Sequence, residues 1–217
     1  MTYPSRFDRY IEIVSRTNLK YRSLVRVTEP TVEPVSVAEA KQHLRIDADF
    51  TDDDLYVASL ITAARHYVEN YVDRTLLRTQ LRMKLDYFPV WDLPLPRPPV
   101  MADPVIVQYV PSDSSLGYAL TSYTNFRTDR DATPAVIRPQ WNGTWPTVRG
   151  AENDVVISWW AGYGTTGADV PVPARHAMLL ILSHWYRTRE SVSETRFAPV
   201  PMSAETLLGT VNWGQYR

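Results

Sequence analysis

The chain contains no cysteine. That excludes disulfides, thiolate metal sites and cysteine nucleophiles, and it fits a reducing compartment. No apolar run approaches the roughly 20 residues that span a bilayer, and the first residues lack the apolar core of a secretory signal, so no membrane association is expected. Charge of one sign is also missing in excess. Lys+Arg 23 stand against Asp+Glu 24, a net charge of −1, with an isoelectric point near 6.4. Bulk electrostatics therefore gives no grip on nucleic acid. Glycine is scarce, 8 residues against 17 prolines, so the connections are extended and stiff. No Walker A loop, Gly-x-Ser-x-Gly elbow or His-Glu-x-x-His helix occurs. His43, His66, His176 and His184 show no metal-ligand spacing. The last two sit on one helix about 12 Å apart, too far to share a metal. No enzyme, cofactor or metal is expected.

What is present is enough for a core: 217 residues, 44% hydrophobic. The chain is organised around residues 33–75, which read as two helices joined by an acidic elbow. Ser36 and Glu39 form a capping box, and Val37, Ala40 and Leu44 recur at helical spacing until about Arg45. Thr51 and Asp54 repeat the start signal. A long helix follows, with Val57, Leu60, Ile61, Ala64, Val68 and Tyr71 on one stripe and Ser59, Thr62, His66, Glu69 and Asp73 opposite.

Before it, residues 1–32 form a basic arm, with Arg6, Arg9, Arg16, Lys20, Arg22 and Arg26 against Asp8 and Glu12. After it, Leu77 to Tyr87 alternate apolar and polar, the period of a strand with one wet face. A proline-dense loop through Leu95-Pro-Arg-Pro-Pro99 excludes helix and central strand. Shorter strands are expected at Val105–Val110, Ala119–Arg127, Val136–Arg138 and Val155–Ala161. Pro173 then opens a helix to about residue 190 that is apolar around most of its circumference. That excess marks Met178, Leu179, Leu182 and Trp185 as a subunit interface. Ser203 is a candidate cap for a last short helix through Leu208.

The fold class expected is α+β. An antiparallel helical core of about four helices (33–75 and 168–190) holds an inserted small antiparallel β unit (76–167). The arm (1–32) precedes it, and a linker, short helix and tail (191–217) follow.

Two patterns suggest other classes. Gly162-x-Gly164-x-x-Gly167 matches a dinucleotide fingerprint and, with the aspartates, would suit a nucleotide-dependent enzyme. However, Asp169, Pro171 and Pro173 delay the helix, and no parallel strand follows it. Trp141, Trp145, Trp159 and Trp160 could stack sugars in a carbohydrate-binding module, although such aromatics more often fill cores and interfaces. Asp47 to Asp54 is not an EF-hand. Counting from Asp47, Asp52 stands where glycine is needed and Ala58 where a bidentate glutamate is needed.

Residues 33–190 resemble the head–tail connector (adaptor, head-completion) proteins of tailed phages, which gene transfer agents also carry. The resemblance rests on several stretches in register: Pro34-Val-Ser-Val-Ala-Glu-Ala-Lys-Gln-His-Leu-Arg-Ile46 with its acidic loop, Leu95–Pro99, Ile137-Arg-Pro139 with Trp145-Pro146, Val155–Gly164, and Val170–Glu190. It implies a structural protein of the virion neck, made in the host cytoplasm. Such a protein forms a ring, a dodecamer to match the portal, that extends the DNA channel and offers a surface to the next neck, stopper or tail protein. Genomic DNA would pass without specific binding, and Asp47, Asp49, Asp52 and Asp53 are candidates to face it. The resemblance and the polar-aromatic end together make Leu207, Leu208, Trp213 and Tyr216 the candidate portal-docking residues.

Overall fold

The computed structural model describes residues 21–90, 92–113, 121–188 and 202–211. The arm before Tyr21, the link through Pro201, and Trp213 and Tyr216 lie outside the described residues. The chain divides into two compact units, Pro30–Arg78 with Gly162–Arg217, and Met1–Glu29 with Thr79–Ala161.

The first unit is helical. It holds α1 (Val37–Leu44), α2 (Asp54–Tyr71), a single 3-10 turn (Gly167–Asp169), α3 (Val172–Arg187) and α4 (Met202–Val211). Its core is built from helical stripes: Val57, Ile61, Ala64 and Val68 of α2 meet Ala177, Met178, Ile181 and Leu182 of α3. Ala204 and Leu208 of α4 close the same core.

The second unit holds β1 (Ser23–Thr28), β2 (Thr79–Leu85), β3 (Leu93–Pro94), β4 (Ile106–Tyr109), β5 (Thr121–Tyr123), β6 (Phe126–Asp129), β7 (Val136–Pro139) and β8 (Val155–Ala161). A five-stranded sheet runs in the order β1-β2-β8-β4-β5, and a three-stranded sheet in the order β3-β7-β6, with every pairing antiparallel. Thr79, Leu81, Met83 and Leu85 of β2 point inward, and Gln80, Arg82 and Lys84 outward, as the alternation demands. Met83 stands opposite Leu24 and Ile157, and Ile157 opposite Val107, so one face carries a continuous apolar row. That row packs in one core with Leu93, Leu95 and Ile137 from the smaller sheet and its approach.

The structure departs from the sequence expectations in particular places. Residues 23–28, inside the expected arm, form an edge strand because β2 supplies a partner more than fifty residues away. Ala119–Arg127 is not one strand. The chain turns at Thr124-Asn125, so β5 joins the large sheet and β6 the small one. Leu93–Pro94 in the proline-rich loop does pair with β7, at a sheet edge where a missing N–H costs nothing. Tyr87, expected to continue the buried row, is exposed just past the end of β2. Ser203 lies inside α4, which already begins at Met202, and the residue at the N-cap of α2 is Asp53, where the start signal pointed to Thr51.

Candidate interaction surfaces

The acidic elbow is held by a cation. Lys41 is almost fully buried, and its ammonium donates to the carbonyls of Ala48 (2.9 Å) and Phe50 (2.6 Å) while pairing with Asp54 at 3.0 Å. These contacts fold the segment back on α1 after Arg45 breaks the helix in the left-handed region at φ 60°. A cavity of about 580 Å³ lies beside it, lined by Val37, Lys41, Gln42, Ile46, Ala48 and Asp54. Asp53 accepts a hydrogen bond from the Tyr186 hydroxyl of α3. Of the elbow carboxylates, Asp53 and Asp54 are thus engaged. Asp47, Asp49 and Asp52 are exposed and take no ion pair among the described residues. No three histidine, aspartate or glutamate side chains converge on a metal-sized point among the described residues.

The start of α1 is tied to α3. The Ser36 hydroxyl accepts from the Glu39 N–H at 3.1 Å, as the capping pattern requires. The Glu39 carboxylate instead accepts two hydrogen bonds from Arg175 (2.8 and 2.9 Å), and Arg175 Nε also donates to the Pro34 carbonyl. One turn further on, the rings of His43 and His176 meet edge to face, centroids 6.2 Å apart. Burial lowers the His43 pKa below its usual 6.5, and His176 and Arg187 push it the same way. Because the folded state disfavours the imidazolium, His43 contributes stability above about pH 6.5 that is lost as pH falls through its depressed folded value. The melting temperature should therefore drop between pH 7 and pH 5 by more in the wild type than in His43→Gln. Equal drops would mean that the pair does not sense pH.

The glycine turn is accounted for by its own unit. A Cβ on Gly164 would meet the Asp169 carboxylate at 2.3 Å, and one on Gly167 the Pro34 carbonyl at 2.6 Å. Asp169 is fixed there by the N–H and hydroxyl of Thr166, both at 2.8 Å, and these bonds hold its carboxyl below the usual carboxylate range. A carboxylate standing against the turn repels a phosphate, so the nucleotide reading has no support in the geometry.

The tryptophans do not form one face. Trp159 is 1% exposed in the sheet core, and its neighbour Trp160 projects from the opposite side of β8. Trp145 stacks on Phe88 at 4.7 Å with planes 2° apart, inside a cluster with Tyr109, Tyr123 and Phe126. The Tyr123 hydroxyl donates to the Thr144 carbonyl, and burial raises its pKa. Among the described tryptophans only Trp141, 84% exposed, stands free for a ligand, and a sugar platform needs more than one ring.

Four of the residues expected at protein contacts are buried within their own unit. Met178, Leu179 and Leu182 lie buried in the core of their own unit, and Trp185 is half-buried edge to face with Tyr67. Leu208 is likewise buried in its own core, with Leu207 packed at the margin. Much of the apolar circumference of α3 is covered from within the chain because α2 and α4 both pack on it, while Leu180, Trp185 and Tyr186 stay half-buried. Among the described residues no helix is long and apolar enough to cross a membrane.

A family model described as phage gp6-like head-tail connector protein matches residues 34–132. No curated protein matches the chain. Among solved structures, a chain from "Neck of empty GTA particle computed with C6 symmetry" has a TM-score of 0.72 at 20% identity, covering 90% of this chain and 97% of that one. A chain in "Virion of native gene transfer agent (GTA) particle" has a TM-score of 0.71 at 23% identity, covering 89% and 96%. A third, from "Neck of native GTA particle computed with C12 symmetry", has a TM-score of 0.68 at 21% identity, covering 90% and 97%. At these identities the likeness is one of fold.

Proposed function

We propose, from the match of residues 34–132 to the phage gp6-like head-tail connector family model, that this chain is a structural component of the neck that joins a head to a tail. The observation that carries this reading is the match itself, because it runs through α1 and α2 of the helical unit and on into the strands of the second unit. A connector works by shape and contact, so the role requires no catalytic group. The finer picture is a ring, of twelve copies, seated under the portal at the head–tail junction of the virion and assembled in the host cytoplasm. The described neck chains of similar fold come from particles treated with sixfold and twelvefold symmetry, which supports the ring. The ring extends the DNA channel and presents its far side to the next neck, stopper or tail protein. With a net charge of −1 the chain lets DNA pass without a specific grip.

Portal docking falls to the residues beyond α4. Ala204 and Leu208 hold α4 in the core of its own unit, and the polar-aromatic sequence that follows supports Trp213 and Tyr216 as the docking side chains, with Leu207 at their base. Electron microscopy of the purified chain mixed with portal should show rings on the portal. Removing residues 212–217 should leave folded rings that no longer bind it, whereas removing residues 1–20 should leave binding intact. Normal binding after the C-terminal truncation would move the docking role to the arm, and a chain that forms no ring in either setting would overturn the connector reading.

A further inference from the structure

On the outward face of the five-stranded sheet Val156 and Ser158 of the middle strand are buried, while among the described residues the strands on either side carry half-buried and exposed side chains. Register puts Val25, Arg82, Ser158 and Ile106 in one row across β1, β2, β8 and β4, with Lys84 in the next row. The row spans three strand spacings, about 14 Å. Val25 and Ile106 at its ends are 46% and 47% exposed. Arg82 and Lys84 between them take no carboxylate partner among the described residues. Asp86, two residues further on, does not neutralise them, because it already accepts from Arg22 and from the Asn153 N–H. This leaves an apolar patch with a basic centre.

The same chain carries the complement. On the elbow, Asp47, Asp49 and Asp52 are unpaired among the described residues, and the side chains beside them, Phe50 (44% exposed) and Leu55 (88% exposed), are apolar. The buried Lys41 holds this segment in place by its carbonyls, so the patch is presented in a fixed shape and little ordering is needed on contact.

We infer that the outward face of the β1-β2-β8-β4 sheet is the seat for the acidic elbow of a second copy of this chain, with Arg82 and Lys84 facing Asp47, Asp49 and Asp52 across the contact. Two different patches on one chain make a heterologous contact, which repeats head to tail and closes into a ring when the rotation allows. Apolar burial of Val25 and Ile106 against Phe50 and Leu55 supplies attraction, and the charges set register and exclude the reversed pairing. The inference rests on the ring reading above and names the contact that builds it.

Charge reversal tests it on the full-length chain, by native mass spectrometry and mass photometry. The sheet variant is R82E/K84E and the elbow variant D47K/D49K/D52K, all at solvent-facing positions. Each alone should need at least about tenfold more protein to form rings, with circular dichroism and melting temperature unchanged. Mixed one to one, the two variants should recover wild-type assembly as alternating rings, since each reversed patch then meets an opposite one. Raising the salt should weaken the wild-type ring. Rings that form normally from either variant, or separate variants that fail to recover on mixing, would overturn the contact while leaving the ring reading standing. Normal rings from the elbow variant would leave the elbow free to line a channel or meet another protein. A wild-type chain that stays monomeric alone and with portal would overturn the ring reading and this contact with it.

Discussion

Replacing Arg65 by methionine should destabilise the helical unit by about 3–5 kcal/mol, close to the loss expected when one partner of a buried ion pair is removed. Arg65 is 3% exposed, and its guanidinium reaches Glu33 at 2.9 Å and Glu69 at 3.5 Å. Glu69 is completely buried, and its other oxygen accepts from the Leu76 N–H at 2.9 Å. Without the guanidinium its charge would lose this partner in a low-dielectric interior. Glu33 is part-exposed and also accepts from Thr62, so it can turn to water at small cost. Against a typical total of about 5–15 kcal/mol, such a loss would shift most of the denaturation midpoint. Adding Glu69→Gln to the Arg65→Met background removes the stranded charge and keeps an acceptor for Leu76, so it should recover a good part of the stability. Chemical denaturation of the single and double variants measures both. If the single variant loses less than about 1 kcal/mol, or the double is worse than the single, the pair is not what holds this end of α2.

Gly162→Ala should cost about 3–5 kcal/mol, although it adds one methyl group. Gly162 sits at φ 131°, where an L side chain is strained, and a Cβ there would meet the backbone of Leu77 at 2.5 Å and the Arg78 nitrogen at 2.7 Å. Backbone cannot swing aside as a side chain does. The chain would have to separate from Leu76–Arg78, breaking the hydrogen bonds from Tyr163 N–H to the Leu76 carbonyl (3.0 Å) and from Arg78 N–H to the Gly164 carbonyl (2.9 Å). Gly150 provides the comparison, since it also has positive φ, 89°, but nothing lies within 4 Å of its would-be Cβ. Gly150→Ala should therefore show the conformational cost alone, about 1 kcal/mol. Thermal unfolding of the two variants separates strain from collision. Equal losses would mean that the close approach at Gly162 is not limiting.

These two sites show what periodicity hides. The stripe of α2 was legible because apolar residues recur every three or four positions and only one face of the helix is buried. Arg65 and Glu69 were not, since Glu69 falls on the side that a polarity pattern assigns to water. The i,i+4 spacing of the two charges was the available signal, but the same spacing is common on exposed helix faces, where it stabilises weakly. Lys41 gave no signal at all, because its partners are carbonyls and every residue has one. The glycine turn carried a motif whose meaning reversed in three dimensions. Its glycines make room for Leu77, Asp169 and Pro34 of the same chain, and none is left over to admit a phosphate.

Local and near-local information therefore determined much of this protein: the α+β class, the helices α1 to α3, the alternation of β2 and the strand β8. Each depends on propensity, caps or period within a window of about twenty residues, whereas the likeness to a connector rests on resemblance of several stretches in register over residues 33–190. Tertiary structure alone decided the rest. It paired β1 with β2 across the whole helical hairpin, and it divided Thr121–Asp129 between two sheets, because pairing depends on where distant strands lie. It also turned Met178, Leu179, Leu182 and Leu208 inward. A sequence shows that a side chain is apolar, but whether its own chain or another one covers it depends on packing between elements that no local pattern encodes.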